Sequence, residues 1–382
     1  MGKTFHRKTD GSIVVKDGAK IINNLPRRPQ LADGLPVPAK IPVTKSAKSS
    51  TPVGFSKPRL YARELAELDS NIDFLKTALL EHPDAKVIVS DLDGVTTEHA
   101  YSEDDEITIK EAIDLYRLEK AILREKRTIA EQEEDAKKGQ VKILSFGDKP
   151  LGTAAKESFH EPNTKEWLLS RTQGIGGSDK LGYVDENGEF VAYDSIQKRS
   201  YLNSVLADKS PNAIKKILET DFAAVEEKDQ ALPLRIGNKL ERTIQYEFAK
   251  NHSEYTHYDD KNTRTAEKRP WHRFNPDGVL QDNETSQFGI FEAKTARDKE
   301  TFEKSLPGYL AQCLHNASAA NLGFAVLVAD IEGEPEQFVY RIDYSLEQLQ
   351  SYRDVVDRAW LLHKPKYDKR EAKGETSPLK AH

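Results

Sequence analysis

Asn275-Pro276-Asp277-Gly278, followed by Phe288-Gly289-Ile290-Phe291-Glu292-Ala293-Lys294, is the stretch that decides how this chain reads. Pro-Asp-Gly is turn chemistry, because Pro fixes φ and Gly tolerates conformations closed to other residues. Residues 281–287 are polar, as a hairpin loop is expected to be, and Phe288 to Phe291 supply the aromatic and β-branched residues that favour a pleated surface. In a strand, residues i and i+2 share a face, so Glu292 and Lys294 point together and Ala293 points away. The backbone carbonyl of Ala293 stays available as a ligand. Two carboxylates and an amine around one point suit a hard cation holding a phosphate group, since Mg²⁺ takes one or two carboxylates plus substrate oxygens. On these residues alone, an ordinary turn Asp and a surface Glu–Lys pair remain the alternative.

The rest of the 382-residue chain narrows the class. Its length allows one large domain or two smaller ones. The net charge of −6 does not advertise a nucleic-acid partner, but it is unevenly spread. Residues 1–50 carry ten Lys or Arg against three Asp. Positive potential focused locally can serve an otherwise acidic protein. A single cysteine, Cys313, excludes a disulfide framework, a Cys-rich zinc site and an iron–sulfur nuclease. The start of the chain has no apolar signal core and no run reaches the length of a membrane span. The expectation is a soluble cytoplasmic protein without a membrane partner.

Four regions are expected. Residues 1–57, rich in Pro and Lys, read as a disordered basic arm. Residues 58–155 read as a mostly helical accessory region. One helix carries Leu60 to Leu79, and a second runs from about Ile107 to Lys138, with Gly139 as its stop. Residues 156–364 form the chemical domain, and residues 365–382 a polar, disordered tail. Within the accessory region, Val87 to Thr97 resembles the first motif of haloacid-dehalogenase-type phosphotransferases, with Asp91 as nucleophile and Asp93 two residues on. The alternative there is a short strand and turn. In the chemical domain, helices are expected over Leu234 to His252 and Tyr309 to Asn321. Phe324 to Ala329 reads as a strand buried on both faces. Ser345-Leu346-Glu347-Gln348 is a capping box opening a helix that ends near His363.

With these elements placed, residues 160–345 resemble the phage lambda exonuclease family, a branch of the PD-(D/E)XK nucleases. Trp167 to Asp179 is similar to that family's Trp-x-x-x-Arg…Gly-Ile-Gly-Gly-Ser-Asp block. Gly237-Asn238-Lys239-Leu240-Glu241 is similar to its helix-borne Gly-x-x-x-Glu. The Pro276-Asp277-Gly278 turn and the Glu292-Ala293-Lys294 strand correspond to its catalytic core, and Tyr309-Leu310-Ala311-Gln312 to the helix after it. One departure stands out. The family often has two glutamines two apart, whereas this chain has Gln312 and then Leu314.

The resemblance implies an α/β fold: a restriction-endonuclease-like core with a mixed central sheet flanked by helices. It implies that Asp277, Glu292 and the Ala293 carbonyl bind Mg²⁺, for which Mn²⁺ substitutes, that Lys294 handles the attacking water, and that Glu241 holds a second ion or its water. Gln312 is the remaining candidate at the catalytic site. Arg171 and Ser178, with the amides of Gly176 and Gly177, would take a terminal 5′ phosphate, Ser178 also capping a following helix. The implied activity is 5′→3′ degradation of linear duplex DNA, leaving 3′ tails for a single-strand annealing or recombinase partner. A trimeric ring and a phage- or prophage-encoded origin in a bacterial host go with it. An endonuclease on the same core and a catalytically silent protein that binds DNA ends or docks a partner are the alternatives.

Overall fold

The computed structural model describes residues 57–375, apart from 90–91, 93–100, 102–104, 140, 159, 161–163, 194–198, 221–230 and 261, together with 3–7, 13–17 and 20–22. The chain divides into two compact units, Met1–Glu134 with Glu226–Leu240, and Asp135–Val225 with Glu241–His382.

In the first unit, β1 (Lys3–Arg7), β2 (Ile13–Asp17) and β3 (Lys20–Ile22) precede α1 (Lys57–Glu81), β4 (Lys86–Ile88), β5 (Glu106–Thr108) and α2 (Ile109–Lys138). A sheet of order β3-β2-β1-β4-β5 results. Three strands therefore lie where a disordered arm is expected, and residues 23–56 of that arm fall outside the described residues. The helical stripe behaves as its spacing predicts. Leu68, Ile72 and Leu75 of α1 pack with Ile109, Ile113 and Tyr116 of α2 in one apolar cluster. Gly139 ends α2 with φ +65°, the left-handed conformation that favours glycine after a helix. Asp91 and Asp93 lie outside the described residues.

The second unit holds β6 (Ile143–Ser145), β7 (Ala154–Ser158), α3 (Lys165–Thr172), β8 (Gly182–Val184), β9 (Phe190–Ala192), α4 (Arg199–Ala207) and α5 (Pro211–Glu219). Helix α6 (Leu232–Asn251) enters it at Glu241. Then come β10 (Tyr255–Asp259), β11 (Thr263–Ala266), β12 (Arg269–Phe274), β13 (Gly278–Asp282), β14 (Phe288–Ala296), α7 (Lys299–Ala320), β15 (Phe324–Ile331), β16 (Phe338–Asp343), α8 (Leu346–Asp357) and α9 (Lys364–Ala372). The fold is mixed α/β. Its central six-stranded sheet has the order β16-β15-β14-β13-β10-β6. β14 pairs antiparallel with β13 and parallel with β15, and α7 makes the crossover that parallel neighbours require. β15 is buried almost throughout, as its continuous apolar run predicts.

Three expectations change. Residues 141–155 belong to this unit, not to a separate accessory region: β6 extends the central sheet beside β10, and β7 pairs with β11. The helix expected from Tyr309 starts at Lys299 instead, from an Asp298 cap whose carboxylate accepts from Thr301 N, and it runs through Pro307-Gly308. The polar tail contains α9, reached through a π-helical turn at Arg358–His363 and anchored by buried Tyr367.

The attachment of 141–155 has an identifiable clamp. Arg264, 0% exposed, donates to Asp260 Oδ2 at 2.5 Å and to the carbonyls of Lys149 at 2.8 Å and Gly147 at 3.4 Å. Its guanidinium lies 5.1 Å from the Phe146 ring centroid. Removing one partner of a buried ion pair strands the other charge. Asp260→Ala is therefore expected to destabilise the protein by roughly 3–5 kcal/mol, measured by urea denaturation.

Candidate active site

The site forms where β13 stops pairing with β14. Gly278 opposes Phe291, and beyond that point β14 continues against β15 alone. The freed edge is taken by Asp277, whose Oδ2 accepts the Ala293 N–H at 2.8 Å. The N–H and C=O of one strand residue face the same edge, so the Ala293 carbonyl faces Asp277 as well. Gly278 leaves room for α6: a Cβ there would come within 2.6 Å of Gln245 Nε2, which donates to Tyr258 O.

Glu292 and Lys294 share a face, and Lys294 Nζ donates to Glu292 Oε1. The same ammonium stands 4.0 Å from Asp277 Oδ2 and 5.6 Å from the Tyr309 ring centroid. Glu292 is 0% exposed. Gln312 Nε2 donates to Oε1 at 2.5 Å, and Asn316 Nδ2 to Oε2 at 3.1 Å. Gln312 and Asn316 are four residues apart on α7 and so lie on one helix face. Beside them on α7, His315 is held by its ring, which bonds Arg273 O at 2.8 Å and Tyr352 OH at 3.2 Å.

These surroundings set the charge states. Burial pushes the Glu292 carboxyl up to about 8, and the Asp277 carboxylate adds to this against the pull of Lys294. Burial works against the Lys294 ammonium, but Glu292 and Asp277 outweigh it and the pKa is raised. Burial, reinforced by Glu292, likewise raises the Cys313 thiol, so that cysteine is a packed neutral group. Burial and the neighbouring Asp277 carboxylate disfavour the charged form of Glu292, and a divalent cation would relieve that. Asp277, Glu292 and the Ala293 carbonyl thus fit one such ion. Among the described residues, no group of three or more His, Cys, Asp or Glu forms a metal cluster. Glu241, half-buried on α6 one turn before Gln245, is therefore not joined to the pair as a third carboxylate ligand; Lys294 takes the central place instead.

The Gly-rich stretch after α3 lies against both β12 and α7. Ile175 bridges to β12, donating to Trp271 O at 2.7 Å and accepting from Arg273 N at 2.9 Å. A Cβ at Gly174 would sit 2.4 Å from Trp271 O, so the backbones can approach only with glycine there. Arg171 donates to Ser178 Oγ at 2.7 Å and stacks 4.5 Å from the Trp167 ring centroid, both side chains being exposed. Two expectations are corrected. The Gly176 N–H is already bonded to Asp179 Oδ2 at 2.6 Å, and Gly177 packs on α7. Nor does Ser178 cap a following helix. It sits in a single 3₁₀ turn, Gly177–Asp179, ended by Lys180 at φ +39°, and strand β8 follows.

Two residues here went unnoticed in the sequence. Lys209, 3% exposed, pairs with Asp179 at 2.9 Å and donates to Arg171 O at 2.9 Å. Nothing local marks it, since its partners are thirty or more residues away. Asn316 had a signal: it stands four residues after Gln312.

Residues 166–322 match the YqaJ-like viral recombinase domain. That span contains every site residue above. No curated protein matches the chain. Among solved structures, the chain is similar to the alkaline exonuclease LHK-Exo from Laribacter hongkongensis, with 13% identity, 55% of this chain and 98% of that chain covered, and a TM-score of 0.39. The structure of LHK-Exo in complex with dAMP gives the same values: 13% identity, 55% and 98% coverage, TM-score 0.39.

The raised Glu292 carboxyl has a pH consequence. The folded chain keeps the Glu292 proton at pH values where the unfolded chain, with a Glu near ~4.3, has released it. Stability therefore falls as pH rises from there to about 8, with no further loss above. In metal-free protein, Glu292→Gln is expected to flatten that decline by roughly 1 kcal/mol or more, read by urea denaturation between about pH 5 and about pH 9.

Proposed function

We propose that this protein is a metal-dependent exodeoxyribonuclease that degrades linear duplex DNA from its ends, 5′→3′, and leaves 3′ single-stranded tails for phage-type recombination. The observation that carries it is the convergence of Asp277, Glu292, Lys294 and Gln312 at one sheet edge, with the Arg171–Ser178 pair on a loop packed against the same helix. The match of residues 166–322 to the YqaJ-like viral recombinase domain supports it.

In this reading Asp277, Glu292 and the Ala293 carbonyl hold Mg²⁺, with Mn²⁺ as substitute. Bound there, such an ion would supply Lewis acidity toward a phosphoryl oxygen and an attacking water. Lys294, kept charged by both carboxylates, orients the attacking water and offsets negative charge as the phosphodiester opens. Gln312 fixes the rotamer of Glu292 so that its carboxylate presents one geometry. The Arg171 guanidinium, spread flat by Trp167 and tied to Ser178, forks onto a terminal 5′ phosphate. A ring-shaped homotrimer and a single-strand annealing partner accompany this activity by resemblance to the lambda exonuclease family.

Purified full-length protein, Mg²⁺ and a linear duplex ending in a 5′ phosphate or a 5′ hydroxyl, beside a closed circle, test the proposal. Stepwise loss of the linear duplex is expected, faster with the phosphate and absent on the circle. Asp277→Ala and Lys294→Ala should each lower the rate on the order of 10²–10³-fold or more. Cleavage of the circle would assign an endonuclease instead. No cleavage with any divalent ion would leave a DNA-end-binding protein.

A further inference from the structure

Asn316 is 1% exposed and lies between the two halves of the site. Its Nδ2 donates to Glu292 Oε2 at 3.1 Å. Its Oδ1 is buried and has no hydrogen-bond partner. That oxygen is directed at the Gly-rich loop: a Cβ on Gly177 would lie 2.5 Å from Asn316 Oδ1 and 3.2 Å from Gln312 Cγ. Gly177 does not have a positive φ, so glycine is required there for space rather than for backbone conformation. The two side chains that the loop presses on are the two amides that hold the two oxygens of Glu292. Ser178, next in sequence, is the hydroxyl bonded to Arg171.

We propose that Asn316 is a positioning residue that couples occupation of the Arg171–Ser178 anion pocket to the placement of the Glu292 carboxylate. It rests on the 5′-phosphate reading above. A terminal phosphate drawn onto Arg171 and Ser178 fixes the 3₁₀ turn Gly177–Asp179. The turn then seats Gly177 against Asn316 and Gln312, and their amides set Glu292. A buried amide with one committed donor and one unpartnered acceptor is suited to this, because its one hydrogen bond ties it to Glu292 while its other end faces the loop. The end group of the DNA would then act on the chemical step as well as on binding. Its effect should fall on kcat, where a simple anchoring pocket would act on KM.

The test measures kcat and KM for duplexes ending in a 5′ phosphate or a 5′ hydroxyl, in the full-length protein and in Asn316→Leu. It adds the affinity of each duplex without divalent ion. Asn316→Ser, which keeps a small polar group, is carried in parallel in case the leucine unfolds the core. In the unaltered protein, kcat with the phosphate should exceed that with the hydroxyl by roughly 5–150-fold, the usual span of coupling between two sites. In either variant that ratio should fall to about one while the binding preference for the phosphate persists. A phosphate preference confined to KM in the unaltered protein would overturn the coupling and leave the pocket intact. So would an unchanged kcat ratio in the variants, or loss of the binding preference together with the kcat ratio, which would make Asn316 a support of the loop only. If the unaltered protein shows no preference in kcat, KM or affinity, the 5′-phosphate reading itself fails, a different result from the others.

Discussion

A fully buried carboxylate is the constraint around which the second unit is arranged. Glu292 is 0% exposed, next to a second carboxylate, at a place where the sheet gives it no backbone partner. Burying such a group unpartnered would cost far more than a single domain can sustain. Each neighbouring element answers that cost. β14 supplies Lys294 two residues on, and α7 supplies Gln312 and Asn316. The end of β13 leaves the Ala293 N–H to Asp277. The parallel register of β14 with β15 requires a crossover, and α7 as that crossover is what brings two amides over the strand. Sheet topology and site chemistry are therefore one arrangement.

The Arg171–Ser178 end follows a different logic. Its charges are balanced in layers. Asp179 takes the Gly176 amide, Lys209 neutralises Asp179 from below, and Lys209 also holds the carbonyl of Arg171 at the last turn of α3. Lys209 is almost wholly buried, so its charge serves this internal pairing. The outward-facing groups are Arg171, Ser178 and the Trp167 ring beneath the guanidinium. Preorganisation of this kind lowers the ordering cost of binding, because the fold already meets part of it.

Local periodicity carried much of this architecture into the sequence. The i, i+2 spacing of Glu292 and Lys294 placed both on one face, and their side chains do meet. The apolar run at Phe324–Ala329 is the buried strand β15, and Ser345 with Gln348 form the capping box of α8. What stayed hidden has physical reasons. β6 is three residues long and pairs with β10, more than a hundred residues on, so no local pattern marks it. α9 is almost entirely polar, and one buried tyrosine makes no period. The Lys209–Asp179 pair joins residues thirty apart with β8, β9 and α4 between them, a contact that spacing does not encode. Gly176 and Gly177 looked alike in sequence, yet one amide is closed by Asp179 while the other residue is a contact surface for α7.

The departure from the two-glutamine pattern becomes intelligible on the helix. Residues two apart on an α-helix point roughly 200° away from each other, so Gln312 and position 314 cannot both face Glu292. Leu314 instead enters the hydrophobic core with Cys313 and Ala317, where an amide would lack partners. Residues four apart do share a face, and there the chain places Asn316. A shorter amide at that position reaches Glu292 Oε2 while leaving its own oxygen toward Gly177. A longer side chain would have to occupy the space that Gly177 already fills. The bare Cα of Gly177 and the short amide of Asn316 are thus matched to each other, and the Glu292 carboxylate is held by the result.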